Sequence, residues 1–191
     1  MAAVNSRMLP LGSDAPFFSL PDPYGNLHAL TDAEGAPAIL VMFICNHCPF
    51  VHHIREELSR LCENYMRENV AVFAINSNDA ETYPGDNADA MRAEIVAQNY
   101  TFPYLIDADQ SVAKSYEAAC TPDIYLFDSK QKLVYRGQFD GSRPGNQIPV
   151  TGEDLRLALD AVLNGMPVNE SQIPSIGCNI KWKQGNEPAW G

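Results

Sequence analysis

Two cysteines three positions apart, in Cys45-Asn46-His47-Cys48, are the residues of this chain best suited to chemistry. That spacing lets the two sulfurs meet around the first turn of a helix and close a disulfide. A thiolate, rather than a thiol, attacks a disulfide or a peroxide, so the motif is reactive where its surroundings favour the anion. The start of a helix does this, because its first N–H groups lack intrahelical partners and its dipole presents a positive end. Pro49, directly after the pair, fits such a start, since a first-turn proline sacrifices no intrahelical bond. His47 can place a donor or a positive charge beside the Cys45 sulfur. Stabilising that thiolate stabilises the reduced form and makes the disulfide a stronger oxidant. Half of a zinc site and an inert coincidence are the competing readings of a bare C-x-x-C.

Holding the sulfurs this way requires a strand that ends, and a helix that begins, at the motif. Residues 38–44 are uniformly apolar, as a strand covered on both faces must be. Immediately afterwards the period changes: Val51, Ile54, Leu58, Leu61, Cys62 and Tyr65 recur at helical spacing, with Arg55, Glu56, Glu57, Arg60 and Glu63 on the other face. Residues 70–75 form a second buried strand, which makes a right-handed strand–helix–strand crossover. At such a junction redox chemistry becomes the better reading of the cysteine pair.

Around this unit, residues 15–20 and 27–30 read as a hairpin about the turn-forming Pro21-Asp-Pro-Tyr-Gly-Asn26. Residues 76–87 read as a polar loop, 88–99 as a helix, 102–106 as a short strand and 109–119 as a short helix. Residues 123–127 and 132–139 alternate and should pair as a hairpin. Thr151-Gly-Glu-Asp154 reads as a capping-box variant opening a helix that stops at Gly165. Residues 166–191 have no clear period and are expected as an extended tail lying over the domain.

The bulk properties fit one α/β domain spanning residues 1–191, with a core over about 8–165. A formal charge of -11 argues against a nucleic-acid partner and an anionic membrane surface. The longest apolar run is strand-sized, and the first residues lack a secretory signal's apolar stretch. Five cysteines are an odd set, which suits a reducing compartment with one reactive pair and some structural thiols. A cytoplasmic location is the expectation.

Four segments, in order, resemble one family: Gly12-Ser-Asp-Ala-Pro-Phe-Phe-Ser-Leu20, Phe43-Ile-Cys-Asn-His-Cys-Pro49, Phe102-Pro-Tyr-Leu-Ile-Asp107 and Cys120-Thr-Pro-Asp-Ile-Tyr-Leu-Phe-Asp128. They are similar to the thioredoxin-like branch of the alkyl hydroperoxide reductase/thiol-specific antioxidant (AhpC/TSA, redoxin, peroxiredoxin-like) superfamily. The resemblance implies a thioredoxin fold: a central mixed β-sheet flanked by helices, with an N-terminal β-hairpin and an inserted βα segment. It also implies that Pro122 is a cis-proline packed against the redox pair, with the Thr121 backbone offered to a bound extended chain.

Two departures limit the transfer. Peroxiredoxins carry Pro-x-x-x-Thr-x-x-Cys; aligned on Cys48, the proline position holds Val41 and the threonine position Cys45. The arginine that polarises peroxide is not evident around residues 121–124 either, so two donors for peroxide oxygen are missing. Thioredoxins place Trp before the first cysteine and a carboxylate in the preceding strand; here Ile44 and an acid-free strand stand instead. Proton transfer from Cys48 then needs water, His47 or a carboxylate brought in from elsewhere.

Cys62 falls on the inward helical stripe and reads as core. Cys120 reads as a buried thiol entering a strand, with a resolving role for an oxidised Cys45 or Cys48 as the alternative. Cys178, in the tail, either returns to the pair as a second resolving thiol or merely packs down. His52 and His53 add nitrogen donors but point about 100° apart on a helix, so surface histidines are the better account. The expected chemistry is thiol–disulfide oxidoreduction at Cys45 and Cys48, supported by His47, Pro49, Thr121 and Pro122. Its partners are a protein or small-molecule disulfide and a cellular thiol reductant. Thiol-dependent peroxide reduction and a metal carrier or sensor are the alternatives. No cofactor and no metal ligand are assigned, and the oligomeric state has no signal in the sequence.

Overall fold

The computed structural model describes residues 3–190. Its elements in chain order are β1 (Ala3–Asn5), β2 (Ser19–Pro21), β3 (Leu27–Ala29), β4 (Ala38–Phe43), α1 (Pro49–Arg67), β5 (Ala71–Asn76), α2 (Ala88–Gln98) and β6 (Tyr104–Ile106). There follow α3 (Ser111–Ser115), β7 (Cys120–Thr121), β8 (Asp123–Asp128), β9 (Leu133–Arg136), α4 (Glu153–Leu163) and β10 (Ile176–Asn179). Among the described residues no helix is long and apolar enough to cross a membrane.

The main sheet has the order β6-β5-β4-β8-β9. β4, β5 and β6 run parallel, whereas β8 and β9 are antiparallel to their neighbours. This is the mixed sheet of a thioredoxin fold. Its central strand is apolar throughout because both faces are covered. Leu40, Met42 and Ile44 pack with α1 and α4, while Ile39, Val41 and Phe43 pack with α3, the N-terminal hairpin and Ile180. α1 buries Val51, Ile54, Leu58, Leu61, Cys62 and Tyr65, the stripe its spacing predicts.

The sequence-based boundaries change where tertiary contacts override local pattern. The helix expected over 109–119 keeps only Ser111–Ser115, because Glu117 adopts a left-handed backbone (φ 50) and ends it. The strand expected to reach residue 139 stops at Arg136. There the tail takes over the backbone partners: Gln138 N–H donates to Ile173 O at 2.9 Å. α4 has no capping box. Its N-cap is Gly152, at φ 67, and a Cβ there would lie 2.7 Å from the Phe139 ring. The Asp140 carboxylate instead accepts from Thr151 N–H and Gly152 N–H, each at 2.7 Å, and so serves the end of the helix from outside it.

The tail is more than an extended cover. Its residues 176–179 form β10, the middle strand of a second sheet in the order β1-β10-β7. Cys178 stands opposite Thr121, and Asn179 opposite Cys120. β7 directly precedes Pro122, so this small sheet reaches the predicted site. The Thr121–Pro122 peptide bond is cis, as the resemblance implies.

Candidate active site

β4 runs into the motif and α1 leaves it, so the backbone turns around Cys45 to Cys48. Cys48 is the N-cap of α1 and Pro49 occupies the first turn. Both sulfurs converge on Thr121, contributed by β7: Cys45 Sγ lies 3.3 Å from Thr121 Oγ1, and the Cys48 thiol donates to Thr121 O at 3.0 Å. Cys45 is 2% exposed and Cys48 0%, so the pair is sealed beneath a thin cover. The hollow beside it, between Phe50, Ile54, Pro122, Phe139 and Ile176, holds about 20 Å³, which is room for one water.

His47 is stacked on Tyr83 with ring centroids 5.7 Å apart. Its Nδ1 pairs with Asp86 Oδ2 at 2.5 Å, and its Nε2 is buried without a partner. Asp86 comes from the loop after β5, within a single 3-10 turn, Pro84–Asp86. Four more donor contacts fix this buried carboxylate or its neighbours. Asn46 N–H at 2.8 Å, Asn76 Nδ2 at 3.3 Å and Asn78 Nδ2 at 2.8 Å reach Asp86, while Asn46 Nδ2 reaches Gly85 O at 2.9 Å. Tyr104 adds a phenol that donates to Asn46 Oδ1 at 3.0 Å. The loop thus brings a carboxylate to a site whose strand has none. Cys45, His47 and Asp86 offer donor atoms all within 4.8 Å of one another, close enough for one cation.

The two thiols titrate as one unit. The first proton leaves below the ordinary thiol range, because the S–H that remains bonds to the new anion; the second is pushed far up by that same bond, by burial and by the Asp86 charge. The surroundings divide the charge between them. The Val51 N–H at the helix start and the Cys178 thiol favour it on Cys48. The Thr121 hydroxyl favours the anion on either sulfur, and the Thr121 carbonyl holds a proton on Cys48.

The other predicted residues fall into place unevenly. Cys62 lies fully buried in the core under α1, and burial pushes its thiol well up. Cys120 is buried in β7, its thiol directed at Pro122 O at 3.5 Å, and it too is raised by burial. Cys178 lies in the same buried cluster as Cys45 and Cys48, and its thiol interacts with the Cys48 sulfur. His52 is exposed and its Nε2 meets Asn46 O, whereas His53 is half-buried with an unpartnered Nε2. Asp86, Asn78 and Tyr83 carry no mark in the sequence that ties them to residue 45. The polar loop over 76–87 was the only signal available.

Asp123, the residue after the cis-proline, is a second buried carboxylate. Ala119 N–H reaches its Oδ2 at 3.2 Å and the Tyr125 hydroxyl at 3.1 Å, while Oδ1 has no partner. Burial pushes its pKa up to about 6.

With this geometry in hand, the relationship to known proteins is clear. The AhpC/TSA family matches residues 11–136, from the N-terminal hairpin through β9. The chain belongs to the AhpC/TSA family. An uncharacterized conserved protein from Geobacillus kaustophilus has a solved structure that superimposes with a TM-score of 0.94 at 56% identity, covering 96% of this chain and 97% of that one. The thiol-disulfide oxidoreductase ResA of Geobacillus thermodenitrificans is 26% identical over 156 residues, 80% of this chain and 78% of the relative. The thioredoxin domain of a thiol-disulfide oxidoreductase from Bacteroides vulgatus shares the fold, with a TM-score of 0.57 at 21% identity over 67% of this chain and 88% of that one.

Proposed function

We propose that this AhpC/TSA member is a thiol–disulfide oxidoreductase working through Cys45 and Cys48. The observation that carries the reading is the convergence of both sulfurs on Thr121 at a helix start, at 3.3 and 3.0 Å. The ResA relative's name supports the reaction class. Cys45 is the attacking sulfur on grounds of access: it borders the half-exposed His47, whereas the Thr121 carbonyl and the tail cover Cys48. Its thiolate attacks one sulfur of a substrate disulfide, giving a mixed disulfide and one released thiolate. Cys48 then loses its proton and attacks Cys45, closing Cys45–Cys48 and releasing the second substrate thiol. The His47–Asp86 pair stands ready as the proton acceptor. The reverse sequence oxidises a dithiol, and a cellular thiol reductant or a disulfide substrate sets the direction.

Peroxide reduction is the weaker reading. The threonine and arginine donors are missing from the motif, and among the described residues no arginine bonds to either sulfur. Metal carriage is favoured by one observation, the close donor set of Cys45, His47 and Asp86. On the odd cysteine count we assign the protein to a reducing, cytoplasmic compartment.

The test uses an aromatic disulfide whose released thiol is coloured. Wild type should release two coloured thiols per pair. Cys48→Ser should release one and retain the other on Cys45 as a stable adduct visible by mass. Cys45→Ser should lose turnover by about a hundredfold or more. Full turnover in Cys45→Ser would remove the assignment. Stoichiometric zinc in wild type that is lost in Cys45→Ser would favour the metal reading.

A further inference from the structure

The tail strand occupies the place where the resemblance would seat an extended substrate. β10 lies antiparallel along β7 with Cys178 directly opposite Thr121. Directly opposed residues on paired antiparallel strands project to the same face. Thr121 turns its hydroxyl to Cys45 Sγ at 3.3 Å, so Cys178 projects toward the same sulfurs. It shares the buried cluster with both.

The fit is close enough to restrict the residue beside it. A Cβ on Gly177 would lie 1.9 Å from Thr121 O, the oxygen that accepts the Cys48 thiol. Only glycine allows the tail to lie this flat and bring the next residue, a cysteine, to the pair. Both flanks are anchored. Ser6 N–H donates to Ser175 O at 2.8 Å, Ser175 Oγ to Gly137 O at 2.6 Å, and Asp79 N–H to Lys181 O at 2.8 Å. Asn78 ties the tail to the active-site loop: its Oδ1 accepts from Lys181 N–H at 2.8 Å while its Nδ2 donates to Asp86 at 2.8 Å.

We infer that Cys178 is a third redox thiol, held by β10 in the position of a substrate cysteine and able to exchange disulfide partners with Cys48. The inference rests on the reading of Cys45 and Cys48 as the redox pair. In the oxidised protein, the Cys178 sulfur attacks Cys48. The Cys48–Cys178 bond forms as the Cys45–Cys48 bond breaks, and the electron pair leaves on Cys45. The proton given up by Cys178 ends on Cys45. The two disulfides are isomers, so no oxidant or reductant is consumed. The exchange frees Cys45 as a thiol and fastens the tail covalently to the start of α1.

Disulfide mapping tests this on the whole protein. Wild type, Cys45→Ser and Cys178→Ser are oxidised with diamide, quenched in acid, blocked with N-ethylmaleimide, digested with pepsin at low pH and analysed by mass spectrometry. The expected products are both Cys45–Cys48 and Cys48–Cys178 in wild type, Cys48–Cys178 alone in Cys45→Ser, and Cys45–Cys48 alone in Cys178→Ser. Oxidation should lower labelling of Cys178 in Cys45→Ser roughly tenfold. If Cys45–Cys48 forms in wild type and Cys178→Ser while Cys178 stays fully labelled in every sample, the relay is overturned and the redox pair stands. If Cys45–Cys48 forms in neither, the underlying reading fails first. Because wild type is itself mapped, a Cys45→Ser variant that does not fold leaves the decision to the presence or absence of its Cys48–Cys178 peptide.

Discussion

Asp86 brings a negative charge to within 4.8 Å of the Cys45 sulfur and pairs with His47 at 2.5 Å. Its charge opposes ionisation of Cys45, so Asp86→Asn should shift the pair's shared negative charge toward Cys45. Alkylation of Cys45 by iodoacetamide near pH 7, read by peptide mapping, should accelerate severalfold, roughly threefold to tenfold. Unchanged or slower alkylation would contradict the assignment of that charge. Asp123 gives a pH prediction of definite sign. Its pKa is pushed up by burial to about 6 in the folded protein from the ordinary aspartate value of 3.8, so the native state holds the proton more tightly. The stability this provides is complete below about pH 4 and lost as pH rises through 6. Asp123→Asn should therefore gain on the order of 2–3 kcal/mol over wild type at pH 8 and almost nothing at pH 4, measured by urea unfolding. A gain independent of pH would refute the buried-acid account. At this scale the cysteine pair was legible, because its chemistry is encoded in a fixed local spacing. Asp86 was not, because a contact across 41 residues depends on where a polar loop folds back, which no local pattern records.

Elements were legible in proportion to how much of their stability is local. β4 and α1 announce themselves by an unbroken apolar run and a helical stripe, and both stand where the spacing places them. β10 has four residues and pairs with only two of β7, so no alternation could disclose it. The α4 cap misled for a related reason: Thr151 has the right side chain, but Asp140 supplies the carboxylate. Gly177→Ala tests whether β10 matters. A methyl 1.9 Å from Thr121 O cannot be accommodated without displacing backbone, so the variant should lose about 1–3 kcal/mol or more of stability. Labelling of reduced Cys48 and Cys178 should quicken as the strand lifts. Unaltered labelling with unaltered stability would show that the close approach is relieved elsewhere.

Across the whole molecule the tail joins parts that the rest of the chain leaves separate. Trp182 packs against the core face opposite α1, Gln110 donates to Lys181 O at 2.9 Å, and Lys183 N–H donates to Gln110 Oε1 at 2.9 Å. Amides of β10 should therefore exchange with deuterium as slowly as those of β4, with a denaturant dependence close to that of global unfolding. Fast, denaturant-insensitive exchange confined to residues 175–181 would mean that the tail opens by itself. The α/β layout was readable from the order of elements. The tail's partners were not, since they are spread over sites as distant as Ser6 and Gln110.

A sheet border with unsatisfied peptide groups invites a foreign strand. Here β10 and then β1 line that border, so any newcomer must add outside Ala3–Asn5. At about 4.8 Å per strand, it would stop three spacings, about 14 Å, from β7, whereas an S–S bond spans about 2 Å. Two copies meeting along this border could not cross-link through Cys45 or Cys48, so crowding alone would not knot them into covalent aggregates.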